Sequence, residues 1–335
     1  MQNQLMYLIY GPAEVYHREA KFSILSALYR ANMQPNFTIV VYTDQPQHYA
    51  DFPVETYSLT EQQLNEWYGE LRYFHRAKLM AMQLAAGRAE KTYFIDTDTF
   101  FLKNPNQLFD LVTDEQAIAD ELYFSSLPDV VASEPNVSAE LTSLSIDSKH
   151  IPIINSGLFG LARNQADVFA KAIALNDVIY PASNRSNTTE QLVLGMAAST
   201  QVKLAEDPQI IKHYWSRKQL FRAKALAFLD KHEANWKCEM AQQDFLLVND
   251  KMPKPPVFAR SFAKFLLLTA SKAERQYLLE SFYGSYNYKN PFDAACKQAW
   301  SDKALENAQA KLAKASKSGG LVFDANKARA RLAAK

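Results

Sequence analysis

The sequence predicts an α/β fold, in which a mostly parallel sheet carries helices on both faces, followed by a helical C-terminal extension. Two observations predict the sheet. Short apolar runs rich in β-branched and aromatic residues alternate with stretches of helical periodicity, and two of these runs are followed at their ends by an aspartate. A third observation predicts the extension, because from about Arg217 onward helical patterns dominate and strand signals become rare. In such sheets the ligand crevice lies beyond the carboxyl ends of the strands.

Four strands and two helices are predicted in the first part of the chain. Each strand is a short apolar run, and Gly11-Pro12 closes the first of them with a turn. Each helix has apolar side chains at intervals of three and four residues. Asp44 and Asp96 then fall just beyond the second and fourth strands. The predicted elements are strand 5–10, helix 14–32, strand 37–42, strand 54–59, helix 70–86 and strand 92–95.

Two domains are predicted from the length of the chain and from the change in its sequence pattern near Arg217. Its 335 residues are enough for one large domain and a substantial extension. We place the first domain at residues 1–220 and the mostly helical extension at residues 221–335, with a proline-rich connector at 252–257. The tail, residues 301–335, holds 8 basic and 3 acidic residues, which suits a weak contact with an anionic membrane surface.

Composition excludes several classes of function. The 37 basic and 36 acidic residues give a net charge of +1, so nucleic acid is not expected as a partner. Two cysteines cannot form a disulfide framework, which favours a reducing compartment. The sequence shows neither a secretory signal nor an apolar run of about 20 residues, so we expect a cytoplasmic protein. Neither GxGxxG nor GxxxxGK[ST] occurs, so a glycine-rich phosphate loop is not expected.

The most informative segment is TYFIDTDTFFLKNP, residues 92–105. Asp96 and Asp98 are two residues apart, so on an extended backbone they face the same side. With 18 aspartates in the chain, about one Asp-x-Asp is expected by chance, but this one lies between two apolar runs. Carboxylates in that setting are costly unless an opposite charge compensates them. Two carboxylates at the end of a strand suit a hard divalent cation, which could in turn hold a diphosphate.

FIDTDTFFLKNP resembles the metal-binding segment of the GT-A-fold glycosyltransferases, whose sheet is Rossmann-like. The most similar group is the retaining one that contains glycogenin and bacterial lipopolysaccharide galactosyltransferases. The resemblance covers roughly residues 5–220. Further stretches are similar to family motifs and follow in the family's order, namely RYFHRAK at 72–78, INSGLFG at 154–160, Glu190-Gln191 and the late His213.

This resemblance implies a glycosyltransferase that moves a hexose from a nucleotide sugar, with UDP as the expected nucleotide, and with retention of configuration. It implies Mn²⁺ or Mg²⁺, and catalytic roles beside the sugar for Glu190 and Gln191. Arg76 and Lys78 point in different directions from one helix, and we favour Arg76 for the phosphates, helped by Arg72 at i, i+4. The implied metal ligands are Asp96, Asp98 and His213, and the implied donor-binding residues are Tyr10, Thr43, Asp44, Arg72, Arg76, Asn155, Ser156, Gly157 and Lys218.

Two other functions stay open at this point. One is a phosphotransferase of the haloacid dehalogenase type, in which Asp96 and Asp98 would supply nucleophile and acid/base. Phe100 stands where that family has Thr or Val. The other is a non-catalytic protein that binds sugar nucleotides, because the motif from His213 to Lys218 lacks the glycine and proline of the glycosyltransferases. The acceptor, whether glycan, lipid or protein, is not indicated by the sequence.

Overall fold

The computed structural model describes residues 2–124, 134–146, 151–268 and 270–318. The chain divides into two compact units, Met1–His213 and Tyr214–Lys335. Helices and strands alternate in the first unit, whereas the described part of the second unit contains helices and connecting segments. Within the described ranges, no helix combines the length and the apolar character needed to cross a bilayer.

Nine strands are described in the first unit. They are β1 (Asn3–Ile9), β2 (Phe37–Thr43), β3 (Glu55–Ser58), β4 (Lys91–Ile95), β5 (Thr99–Phe101), β6 (Gln116–Tyr123), β7 (Ile153–Ala162), β8 (Lys203–Glu206) and β9 (Ile211–His213). Seven of them form one sheet in the order β3-β2-β1-β4-β7-β6-β8, and β5 pairs with β9. Neighbours in the large sheet are parallel except at β7, which is antiparallel to β4 and β6. The predicted α/β class with a mostly parallel sheet is confirmed.

Helices flank this sheet on both of its faces. They are α1 (Glu14–Arg30), α2 (Glu61–Tyr68), α3 (Phe74–Ala86), α4 (Leu108–Leu111), α5 (Pro135–Ser143), α6 (Asp167–Ala182) and α7 (Thr189–Ser199). Tyr7 on β1 forms a 3.0 Å hydrogen bond with Ser23 of α1. The next residue towards the N-terminus, Met6, belongs to the core that also holds Leu79 and Met82 of α3. Because successive strand residues face opposite sides, β1 is buried on both, which explains its continuous apolar run.

One predicted helix begins later than its apolar pattern indicates. The sequence predicts a helix over residues 70–86, but α3 begins at Phe74. The preceding helix α2 ends at Tyr68, and Gly69 (φ 66°) and Arg72 (φ 51°) both adopt left-handed backbone. A helix cannot pass through such residues. Arg72 therefore lies outside α3, and the predicted i, i+4 relation between Arg72 and Arg76 is wrong.

The second unit is helical, as predicted for the C-terminal extension. Its helices are α8 (Lys218–His232), α9 (Glu239–Phe245), α10 (Val257–Leu266), α11 (Lys272–Ser285), α12 (Pro291–Ala294) and α13 (Lys297–Ser318). One core cluster contains Leu220, Tyr283, Cys296 and Trp300. Trp300 Nε1 donates a hydrogen bond of 2.6 Å to Pro253 O, which ties the predicted proline-rich connector to this core. Residues 319–335 of the predicted basic tail lie outside the described residues.

Candidate metal centre

The carboxyl ends of β1 and β2 lie next to each other in the sheet and carry polar residues. Asp44 follows β2, and its two carboxylate oxygens accept hydrogen bonds of 3.2 and 3.1 Å from Gly11 N. Tyr10 Oη donates to Phe74 O at 3.2 Å, and Thr43 is fully buried. The predicted contact residues Tyr10 and Asp44 are therefore found at the edge of the sheet where α/β folds hold their ligands.

Asp96, Asp98 and His213 come together beyond the end of β4, each with one potential ligand atom within 4.8 Å of the others. Asp96 follows β4, and Asp98 immediately precedes β5. The antiparallel pairing of β5 with β9 sets Thr99 opposite His213. As a result, His213 Nε2 lies 3.6 Å from Asp98 Oδ1. Two carboxylates and one imidazole form a ligand set that suits a divalent cation.

A third carboxylate fixes the orientation of the His213 ring. His213 Nδ1 donates a 2.7 Å hydrogen bond to Asp120 Oδ2 from β6, which leaves Nε2 directed at Asp98. A carboxylate on the far nitrogen is the usual support of a metal-binding histidine. Burial lowers the pKa of His213, but the hydrogen bonds to Asp120 and Asp98 and the charge of Asp96 outweigh it and raise the pKa to about 9. The surrounding carboxylates therefore favour a positive charge at this place, and a bound metal ion would supply one.

Gly157 on β7 makes room for this ring. A Cβ built on Gly157 would lie 2.1 Å from His213 Nδ1 and 2.2 Å from Cε1, far inside van der Waals contact. The backbone is engaged as well, because Asp96 N donates to Gly157 O at 2.8 Å. The group that takes the space beside Gly157 is therefore the imidazole of His213.

Lys78 lies at the centre of a buried polar network beside Asp96. Its Nζ is 3.2 Å from Asp96 Oδ1 and 3.3 Å from Glu190 Oε1, and it donates to Ser156 Oγ at 2.9 Å. Ser156 Oγ in turn donates to Glu190 Oε1 at 2.6 Å. Burial lowers the pKa of Lys78, but the charges of Asp96 and Glu190 outweigh it, so the pKa is raised. Loss of hydration raises the pKa of Asp96, and the charges of Lys78 and His213 oppose this rise.

Glu190 is held from its backbone as well as from its side chain. It lies in the first turn of α7 and is 1% exposed. Its backbone N donates to Tyr73 Oη at 3.1 Å, and Tyr73 Oη donates to Asn187 O at 3.0 Å. Gln191 is the next residue of the helix and is half-buried. These contacts hold Glu190 where its Oε1 lies 3.3 Å from Lys78 Nζ, beside Asp96.

Asn155 links the strands β7 and β6 near the cluster. Its Nδ2 donates to Glu121 Oε2 at 3.3 Å, and its Oδ1 accepts from Gly157 N at 3.2 Å. Glu121 also accepts a hydrogen bond from Tyr123 Oη. The predicted Asn-Ser-Gly stretch thus lies within a strand. Asn155 contacts Glu121, Ser156 contacts Lys78 and Glu190, and Gly157 lies against the His213 ring.

The predicted phosphate-binding arginines form their hydrogen bonds with residues outside this network. Arg76 forms a bidentate ion pair with Asp177, with Nε–Oδ1 and Nη2–Oδ2 distances of 2.7 and 2.9 Å. Arg72 is an exposed residue of the turn before α3. In segment 72–78 the residue in contact with Asp96 is Lys78, because α3 turns the side chains at positions 76 and 78 in different directions. Which of these cations binds the phosphates stays a prediction, and Lys78 is the one that lies against Asp96.

Lys218 belongs to the second unit, where it is the first residue of α8. With Arg217, Arg222 and Lys303, it lines a cavity of about 600 Å³ within that unit. Asp302 and Glu306 line the same cavity and offset part of its positive charge.

Sequence reasoning missed Asp120, Glu121 and Tyr73. Asp120 carried a usable signal, since it follows the apolar run Ala117-Ile118-Ala119, just as Asp44 and Asp96 follow theirs. No comparable pattern marks Tyr73, whose hydrogen bonds reach residues more than a hundred positions away.

Comparison with known proteins adds little to this geometry. No protein-family model matches the chain, and no curated protein matches it. Among solved structures, the chain is similar to the apo structure of WbbM, described as a bifunctional glycosyltransferase, with a TM-score of 0.41 and 14% identity. The matched region covers 61% of this chain and 38% of that chain. An overlap of this size says nothing about which reaction the chain catalyses.

Proposed function

We propose that this protein is a metal-dependent glycosyltransferase that transfers a hexose from a nucleotide sugar to an acceptor. The observation that carries the proposal is the Asp96–Asp98–His213 cluster beyond the end of β4, with Asp120 behind the histidine. The resemblance of FIDTDTFFLKNP to the metal-binding segment of the retaining GT-A enzymes supports the same function. Residues 1–220 are the proposed catalytic domain.

The proposed donor is a UDP-linked hexose. Its base and ribose would lie against Tyr10 and Asp44, which follow β1 and β2, the strands on one side of β4 in the sheet. An aromatic ring and a carboxylate suit these groups, because the ring can stack on uracil and the carboxylate can accept hydrogen bonds from hydroxyls. Gln191 and Asn155 are the proposed contacts of the sugar.

The residues of the cluster fit Mn²⁺ or Mg²⁺ as the metal. Asp96 and Asp98 offer carboxylate oxygens, His213 offers Nε2, and Gly157 leaves the space that the imidazole needs. When bound, the metal would offset the negative charge that develops on the departing diphosphate.

Lys78 and Glu190 have different proposed roles beside the metal site. Lys78 keeps its positive charge beside Asp96 because Asp96 and Glu190 raise its pKa, so it adds a fixed cation next to the leaving group. Glu190 was predicted as a catalytic residue, but its carboxylate is engaged by Lys78 and Ser156. We assign it the role of a positioning residue that holds Lys78 in place.

A panel of nucleotide sugars tests this function by thermal unfolding with and without Mn²⁺. A ligand that binds the folded state raises the melting temperature by mass action, here by about 5 °C at saturating concentration. We expect the rise with UDP-hexoses and Mn²⁺, and its loss when EDTA replaces Mn²⁺. GDP- and ADP-sugars are the matched controls. No shift with any nucleotide sugar in the presence of Mn²⁺ would contradict the proposal.

Two activity assays separate this function from the alternatives. Slow hydrolysis of the UDP-sugar with Mn²⁺ is expected from an enzyme without its acceptor, and its complete absence would favour a non-catalytic binding protein. Robust turnover of a generic aryl phosphate would favour a phosphotransferase, in which Asp96 would have to act as a nucleophile while paired with Lys78 at 3.2 Å.

A further inference from the structure

Helix α10 turns its large apolar side chains outward and its small ones inward. Phe258, Phe262 and Phe265 are 84%, 56% and 66% exposed, whereas Ala259 and Ala263 are partly covered. Spacings of four and three residues place the three phenylalanines on one stripe of the helix. A helix on a water-exposed surface normally shows the opposite arrangement, so this stripe has the character of an interaction surface.

Two further exposed apolar residues lie near the ends of this row of phenylalanines, and a buried residue follows the helix. Val257 and Leu268 are 67% and 61% exposed. Leu267, which directly follows α10, is buried in a core cluster with Tyr277 and Leu278, whereas no residue of α10 itself is buried. The phenylalanines therefore point away from the side of α10 that holds the partly covered residues Ala259, Ala263 and Leu266.

The charges within the segment that carries the stripe are all of one sign. Residues 251–273 contain five basic residues and no acidic residue, and the segment lies between Asp250 and Glu274. Lys254 and Lys264 are exposed. Aromatic residues on one face with lysines and arginines beside them are typical of helices that lie in the interface of an anionic bilayer.

We infer that α10, together with Leu268, is a membrane-interface helix that inserts Phe258, Phe262 and Phe265 at the headgroup boundary of an anionic bilayer. A second copy of the chain is a poorer occupant, because a two-fold contact would bring the lysines of both copies together with no carboxylate in residues 251–273 to pair them. The inference is independent of the proposed enzymatic reaction. It concerns a different segment from the basic tail predicted at 301–335.

Flotation of the full chain with lipid vesicles tests the inference. We expect binding to vesicles of phosphatidylcholine mixed with phosphatidylglycerol and much weaker binding to phosphatidylcholine alone. The exposed triple variant Phe258→Ser/Phe262→Ser/Phe265→Ser is expected to bind the anionic vesicles about 100-fold more weakly. Lys254→Gln/Lys264→Gln is expected to weaken binding by about fivefold per charge. Circular dichroism shows whether each variant keeps its helices.

Met240→Ser/Leu246→Ser is the matched control, since these two side chains of the same unit are 60% and 65% exposed. It should bind vesicles as the unchanged protein does. Failure of the unchanged protein to float with anionic vesicles would overturn the inference, as would full binding by the triple variant. Dimerisation that the triple variant abolishes, without vesicle binding, would overturn it in favour of contact between two copies.

Discussion

Replacement of Asp98 by asparagine is expected to abolish metal-dependent binding of UDP while the fold stays intact. Asp98 is 7% exposed, and its Oδ1 lies 3.6 Å from His213 Nε2. Asparagine keeps the size of the side chain but removes the charge that a cation requires. We expect Mn²⁺ affinity to fall by about 100-fold or more. Sugar transfer should fall by about 10³-fold, equivalent to about 4 kcal/mol of transition-state stabilisation.

Calorimetric titration of Mn²⁺, and then of UDP in its presence, measures both effects. Asp114→Asn is the control, because Asp114 is an exposed aspartate and does not belong to the cluster. It should leave both affinities unchanged. Unaltered UDP affinity in the Asp98→Asn variant with Mn²⁺ present would show that the carboxylate pair does not hold the nucleotide through a metal.

Gly157→Ala is expected to displace the His213 ring and to weaken Mn²⁺ binding by at least about tenfold. The new methyl carbon would lie 2.1 Å from Nδ1, the atom that is bonded to Asp120. Such overpacking also destabilises the fold, by about 1–3 kcal/mol. Gly87→Ala is the matched control, because the nearest atom to its Cβ is Leu84 O at 4.0 Å and its φ is −72°.

If Gly157→Ala is too unstable for metal titration, the contact between Gly157 and His213 can still be tested with a double-mutant cycle on the free energy of unfolding. In Gly157→Ala/His213→Ala the ring that the methyl group meets is gone. The double variant should therefore be less destabilised than the sum of the two single variants, by about 1–3 kcal/mol in chemical unfolding. Strict additivity would mean that Gly157 does not make room for His213.

The central strands could be predicted from the sequence because they are buried on both faces. Runs such as residues 5–10 and 37–42 are apolar at nearly every position, and this pattern is decisive without knowledge of the fold. The antiparallel direction of β7 could not be predicted in the same way, since an apolar strand looks the same in either direction. The start of α3 was missed because its apolar pattern extends back into the turn that contains Gly69 and Arg72.

The carboxylates of the candidate site could be predicted more completely than their partners. Asp96 and Asp98 lie between two apolar runs, which is an unusual sequence context for carboxylates. His213 comes close to them only through the pairing of β5 with β9, two strands that are far apart in the sequence. The choice between Arg76 and Lys78 depended on the angular position of each side chain around α3. Ser156 was predicted to bind the donor, and nothing in the sequence indicated that its hydroxyl is bonded to Lys78 and Glu190. No local pattern encodes such contacts.

Anomalous diffraction from crystals grown with Mn²⁺ and UDP tests the metal-centred mechanism most directly. The signal of manganese identifies the ion without reference to any homologue. We expect one strong peak in contact with Asp96, Asp98 and His213 Nε2, with the diphosphate of UDP on its open side. UDP bound with no manganese peak at these three side chains, or manganese bound elsewhere beside the diphosphate, would contradict the mechanism proposed for this protein.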